Sequence, residues 1–286
     1  MGGRVMALVA VGSGLVAAAA WAQTGQVVSG PTVFASHNLP ADAVTGFTAT
    51  CPRGYLALSG GVTRPGAGST LLSVRPAGAR AFTFRFGNPA GNDPTRVRVA
   101  VACRTARGGP VLKLTPVKTK VVVRAGASVA GLLRCPARTT PAGSAVDLDP
   151  GRARSVGSFE GATLSARAST ASLHAFAFRV ANAGGRARDV VVQGSCVTVL
   201  LAPDVASARL STEITTSTVA VAPGSQHFVR ACRSGWTALG AGYALSTGSV
   251  RVDGAATLGA SGSWWVRNTL DAPQKAQLQL ICARLT

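Results

Sequence analysis

Residues 51–62 read CPRGYLALSGGV and residues 232–243 read CRSGWTALGAGY. The two align without a gap: Gly54 and Gly235 fall three after the cysteine, Leu58 and Leu239 seven after, Gly61 and Gly242 ten after. A third stretch, CPARTTPAGSAV from Cys135, opens the same way but carries Arg138 at the first glycine position and Ala145 at the last, so its early turn is expected to differ. Downstream of each lies an aromatic run ending in asparagine: Phe84, Phe86 and Asn88; Phe178, Val180 and Asn182; Trp264, Val266 and Asn268. An alternating run then closes on a second cysteine, in RVRVAVAC from Arg96, DVVVQGSC from Asp189 and KAQLQLIC from Lys275. Three matches in one order over most of the chain make an internal repeat, which decides the fold before any single element does.

Alternation with period two marks half-buried strands. Phe82, Phe84 and Phe86 share one face against Thr83 and Arg85, and Val97, Val99, Val101 and Cys103 share one against Arg98, Ala100 and Ala102. No stretch of twelve residues after the first 22 has apolar spacing suited to a helix, and Gly-Gly, Gly-Asn-Asp-Pro and Ala-Gly-Gly clusters punctuate the chain as turns. Each repeat has room for about six short strands, enough for a small antiparallel sandwich. The fold class expected is therefore all-β, with three tandem disulfide-stapled antiparallel β-sandwich-like repeats at residues 23–110, 111–203 and 204–286. Such repeats can stand in series or close into a prism-like ring, and their unequal lengths favour a series. Short strands and the absence of aromatic girdles argue against an outer-membrane barrel.

The repeat also pairs the six cysteines: Cys51 with Cys103, Cys135 with Cys196, and Cys232 with Cys282. Each bond closes a loop worth roughly 4 kcal/mol in the chain-entropy model. Residues 1–22, MGGRVMALVAVGSGLVAAAAWA, join one positive charge at Arg4 to an apolar run and a small-residue cut site, the form of a secretory signal peptide. Cleavage after Ala22 leaves no apolar run long enough to span a membrane. Secretion, to the extracellular space or the periplasm and cell envelope, is the expectation, and it suits disulfides in a protein whose aromatic content is only 5%.

Two Glu, eight Asp and three His leave little for acid–base or metal chemistry. There is no G-x-S-x-G turn, no Walker loop and no CxxC pair. His37, His174 and His227 fall at unrelated places in the repeats. The DLDPG stretch, with Asp147 and Asp149, occurs once and reads as a turn rather than a calcium loop. No catalytic residue, metal ligand or cofactor is assigned, and the chain reads as a non-enzyme.

The charge remains. Twenty-nine Lys and Arg against ten Asp and Glu give +19, with only four lysines, a skew that also fits codon bias in a GC-rich genome. Arg85, Arg96, Arg98 and Arg104 would share or adjoin one outward sheet face if the last two strands of the first repeat pair. Guanidinium groups there can fork onto carboxylate, sulfate or phosphate. Partners of that kind are anionic polysaccharide, lipopolysaccharide or a protein, while specific nucleic-acid reading would need interleaved exposed aromatics. The alternative is a lectin-like carbohydrate binder built from module loops and exposed aromatics, with Trp265, Trp236 and Tyr55 as candidates. Trp265 stands out because the alternation that buries Trp264 and Val266 turns it outward.

The combined pattern of Cys-Pro-x-Gly, Gly-Gly, an aromatic strand with Asn and a Val-rich strand ending in Cys resembles repeats of exported proteins from GC-rich bacteria. CPRGYLALSGGV with VRVAVAC, and CRSGWTALGAGY with WWVRN, carry that resemblance. It implies an exported all-β module acting through its surfaces, as a structural or binding protein, and implies no enzymatic activity.

Overall fold

Residues 27–106, 110–147, 162–168, 174–182, 185–200, 209–245 and 249–286 are described by the computed structural model. The expected leader, residues 1–22, and Asp149 lie outside them. Among the described residues there are eighteen strands and no helix. The first six are β1 (Val27–Leu39), β2 (Ala43–Thr50), β3 (Leu56–Arg64), β4 (Thr70–Pro76), β5 (Ala81–Asn88) and β6 (Thr95–Ala106). The next are β7 (Val111–Val123), β8 (Ser128–Arg134), β9 (Thr140–Asp147), β10 (Ala162–Ala168), β11 (Ala175–Asn182) and β12 (Arg188–Leu200). The last are β13 (Leu210–Val221), β14 (Gly224–Ala231), β15 (Thr237–Leu245), β16 (Val250–Leu258), β17 (Ser261–Asn268) and β18 (Gln274–Leu285).

Every block of six pairs alike. The first, sixth and third strands form one antiparallel sheet, as β1-β6-β3, β7-β12-β9 and β13-β18-β15. The second, fifth and fourth form the other, as β2-β5-β4, β8-β11-β10 and β14-β17-β16. Each block is thus a two-layer sandwich with its own core, filled by Phe82, Phe84 and Phe86 in the first, Phe176 and Phe178 in the second, and Trp264 in the third. The disulfides join Cys51 to Cys103, Cys135 to Cys196 and Cys232 to Cys282, across 52, 61 and 50 residues.

One asparagine per block closes the far end. Asn88 Nδ2 donates to Pro40 O and Asp93 O, both at 3.0 Å. Asn182 Nδ2 donates to Val123 O at 3.0 Å and Arg186 O at 2.7 Å, and Asn268 Nδ2 to Val221 O at 3.0 Å and Ala272 O at 2.9 Å. In each block the amide ties the end of the first strand or its turn to the turn before the sixth, giving the carbonyls at this end of the sandwich a partner.

The modules do not stand in series as unequal repeat lengths suggested; they close into a ring. The fourth strand of each packs beside the third strand of the next: β4 beside β9 with a bridge at Ser73 and Asp147, β10 beside β15, and β16 beside β3. The physical reason lies in bulges. In β3 and β15 the register against the sixth strand slips between Ala57 and Ser59 and between Ala238 and Gly240, leaving Leu58 and Leu239 as the extra residues. A bulge re-aims the side chain it carries. Leu58 and Leu239 therefore leave their own sandwiches and meet Ala142, seven after Cys135, in a fourth core shared by all three modules. All three are 1% exposed or less. Next along, Gly143 lies so near the first module that a Cβ on it would fall 2.5 Å from Leu58 O.

The turn of the second repeat also departs from expectation. Arg138 adopts φ 63°, the left-handed conformation that Gly54 and Gly235 hold at φ 82° and 76°. The turn is kept and an exposed arginine bears its strain, because the fold around Cys135 determines the backbone more strongly than the residue does.

Candidate functional site: an arginine face across a module seam

The seam between the third module and the first is made by backbone approach. Gly61 has no room for a side chain, since a Cβ would fall 1.9 Å from Ala255 O, and one on Gly254 would fall 2.7 Å from Val62 O. Ser59 and Thr257 share a buried hydroxyl hydrogen bond across it. Trp265 Nε1 donates to Thr63 O at 2.7 Å, and Arg104 Nη2 donates to Gly259 O at 2.9 Å. These contacts run β3 antiparallel along β16 and bring the sheet β1-β6-β3 beside the sheet β16-β17-β14.

Two further bulges lie opposite each other at this seam. In β3 the register slips between Val62 and Arg64, and in β16 between Val252 and Gly254. The first turns Arg64 onto the solvent face, where it pairs directly with Arg98 of β6. The second leaves Asp253 as the extra residue beside the pair of Arg251 and Arg267, on β16 and β17. Arg98 stacks its guanidinium 4.3 Å from the centre of the Phe34 ring on β1. Arg96, two residues earlier, faces outward beside Asn38. Arg267 Nη2 reaches Asp253 Oδ2 at 2.8 Å. Burial raises the Asp253 carboxyl above its ordinary range, and the two neighbouring arginines pull the other way.

Of the arginines expected to form one face, Arg96 and Arg98 do so. Arg85 does not join them, because β5 and β6 belong to opposite sheets; it faces outward from β5, beside Gly46 and Ser73. Arg104 is a correction of a different kind. It has the outward parity of Arg96 and Arg98 but is 0% exposed, since that face of β6 passes under the ring. Its Nη1 donates to Gly30 O at 3.0 Å and to Cys103 O at 2.8 Å, and burial pulls its pKa down to about 10. Arg104 stands one residue after its cysteine, where the other modules carry Val197 and Ala283, both in the shared core.

The aromatics are similarly committed. Trp265 is half-buried, its indole N–H is held by Thr63, and its ring stacks on His227 at 4.6 Å. Trp236 lies under Arg284 and Arg233, at 5.0 and 5.9 Å. Tyr55 packs against the first module's core beside its disulfide. The histidines sit apart: His37 stacks on Phe47, His174 Nδ1 meets Thr139 O at 2.8 Å, and His227 Nε2 meets Ser263 Oγ at 2.8 Å. No cluster of three or more His, Cys, Asp or Glu able to hold a metal ion occurs among the described residues. Nor is any helix there long and apolar enough to cross a membrane.

Arg64, Arg251, Arg267 and Asp253 were not singled out by sequence reasoning. VRVDG from Val250 does alternate, which marks Arg251 as outward, but the bulge that turns Arg64 has no counterpart in the apolar pattern. The chain matches no known family model and no curated protein.

Proposed function

We propose that this is an exported, non-enzymatic protein of the cell surface or envelope that binds an anionic polymer through its outer faces. The observation that carries the reading is the surface joining modules one and three, where Arg64 and Arg98 on one side of the seam meet Arg251 and Arg267 on the other, with Arg96 beside them. Guanidinium groups so placed recognise carboxylate, sulfate or phosphate by forked hydrogen bonds. Export is supported by three disulfides, which form and persist in oxidising compartments. A non-enzymatic role is supported by the three histidines, which lie apart and each on a different partner, Phe47, Thr139 and Ser263.

Retention on immobilised heparin tests the reading. The protein is expected to stay bound above about 0.15 M salt, where long-range attraction is screened. Replacing Arg64 and Arg98 with glutamine is expected to bring elution below that point, while the charge-matched pair Arg53→Gln and Arg124→Gln leaves it in place. Equal loss from both pairs would reduce the binding to net charge and sink the proposal.

A further inference from the structure

We infer that Arg98, Arg64, Arg251 and Arg267 form a single linear track across the seam that takes an extended acidic polysaccharide of uronate type. This deepens the anionic-polymer reading and rests on it. Arg98 and Arg64 are cross-strand neighbours on β6 and β3, and Arg251 and Arg267 are cross-strand neighbours on β16 and β17. Because β3 runs antiparallel to β16, with Val62 against Gly254, Arg64 and Arg251 come within a residue of the same level. Two arginines on each side of the seam thus make one band, the members of each pair about 5 Å apart at ordinary strand spacing. Like charges directly opposite on a sheet are unfavourable. Two such pairs side by side make sense when an anion lies across them.

The surroundings choose among anions. Outward positions flanking the track are hydroxyl and amide side chains, Ser36 and Asn38 on β1 and Ser225 on β14 beside Arg267. They suit a chain whose acidic groups alternate with hydroxyls. A nucleic acid would want free aromatic faces in succession, but Arg98 already takes one face of Phe34, and Trp265 is half-buried against His227. A lipid surface would want a continuous apolar rim, and the large exposed apolar side chains on this side, Phe34, Val229 and Leu270, belong to three separate elements, β1, β14 and the turn after β17.

The test is binding of uronic-acid oligosaccharides of two, four and six sugars to the full-length protein, by calorimetry in moderate salt. Affinity should rise more than about tenfold from two sugars to four, with little further gain at six, because four sugars fill the band. Arg98→Gln in module one and Arg251→Gln in module three should each bring the four-sugar ligand down to near the two-sugar affinity, about the loss of one charge-assisted contact. Asp253→Asn should strengthen binding about threefold by removing the competing carboxylate. Far-ultraviolet dichroism confirms that each variant is folded. Dependence on only one module, no length dependence, or equal losses in Arg53→Gln overturns the track while leaving heparin retention, and the broader reading, intact. Tighter binding of a charge-matched oligonucleotide or polyphosphate overturns the polysaccharide assignment. Failure to bind heparin as well would bring down the broader proposal with it.

Discussion

Arg138 carries a strain that its two counterparts avoid. A side chain in the left-handed region costs on the order of 2 kcal/mol, whereas glycine visits it freely. The exposed Arg138 side chain offers little in return, and the carbonyl that accepts Thr198 Oγ1 at 3.3 Å is backbone. Arg138→Gly should therefore stabilise the protein by about 1 kcal/mol after the entropy of a freer unfolded chain is subtracted. That corresponds to a rise of roughly 2–4 °C in the midpoint of thermal unfolding for a chain of this size. An unchanged or lower midpoint would mean that the arginine makes a contact worth more than its backbone strain. Asn88, Asn182 and Asn268 each spend their side-chain N–H groups on the same two places, the end of the first strand or its turn and the turn before the sixth, which accounts for an asparagine recurring at a strand end.

At the level of elements, bulges rather than strands distinguish this molecule from three separate sandwiches. Strand existence, the disulfide pairs and the inward faces were legible, because Val97, Val99 and Val101 or Leu278 and Leu280 alternate as a half-buried strand must. The bulges were not, since an extra residue leaves no mark in a run that is apolar on both sides, such as ALSGG or ALGAG. Asp253 shows what a bulge does to chemistry. It holds a carboxyl in a partly desolvated place with Arg267 from β17, Arg251 from its own strand and the bulged turn of Thr63 and Arg64 on β3 opposite. Burial outweighs the arginines, so the folded state keeps the proton to a higher pH than the ordinary aspartate value of 3.8. Its contribution to stability is full below that value and is lost as pH rises through the folded-state pKa. Denaturant midpoints measured from pH 3.5 to 7 should fall more steeply with rising pH in the native protein than in Asp253→Asn. Parallel curves for the two proteins would show that Asp253 is no better protonated when folded.

For the whole molecule, ring closure decides which residues are surface and which are core. The alternation of RVRVAVAC puts Arg98, Ala100 and Ala102 on one face, and the change from arginine to alanine along it was the available sign that the face becomes buried. Ala100 and Ala102 are 1% exposed. Arg104 then follows as a buried cation bonded to three carbonyls, two in its own module and one in the third. None of this is readable inside one repeat, because the partner surfaces lie up to 202 residues away, the separation of Trp265 from Thr63. The small sandwiches gain a second, aliphatic core by closing, and Leu58 and Leu239 are its bulged residues. Truncating either should remove transfer energy and leave a cavity where modules meet, at a cost of about 3 kcal/mol. The loss should fall on the junction before it falls on the sandwiches. Hydrogen exchange on Leu239→Ala, with all three disulfides intact, should therefore quicken first in β3, β9 and β15, which surround the shared core. The edge strands β2 and β14 should change least relative to their own native rates. Uniform acceleration through all eighteen strands would mean that the ring and its modules unfold as one unit, and that the shared core confers no separate layer of stability.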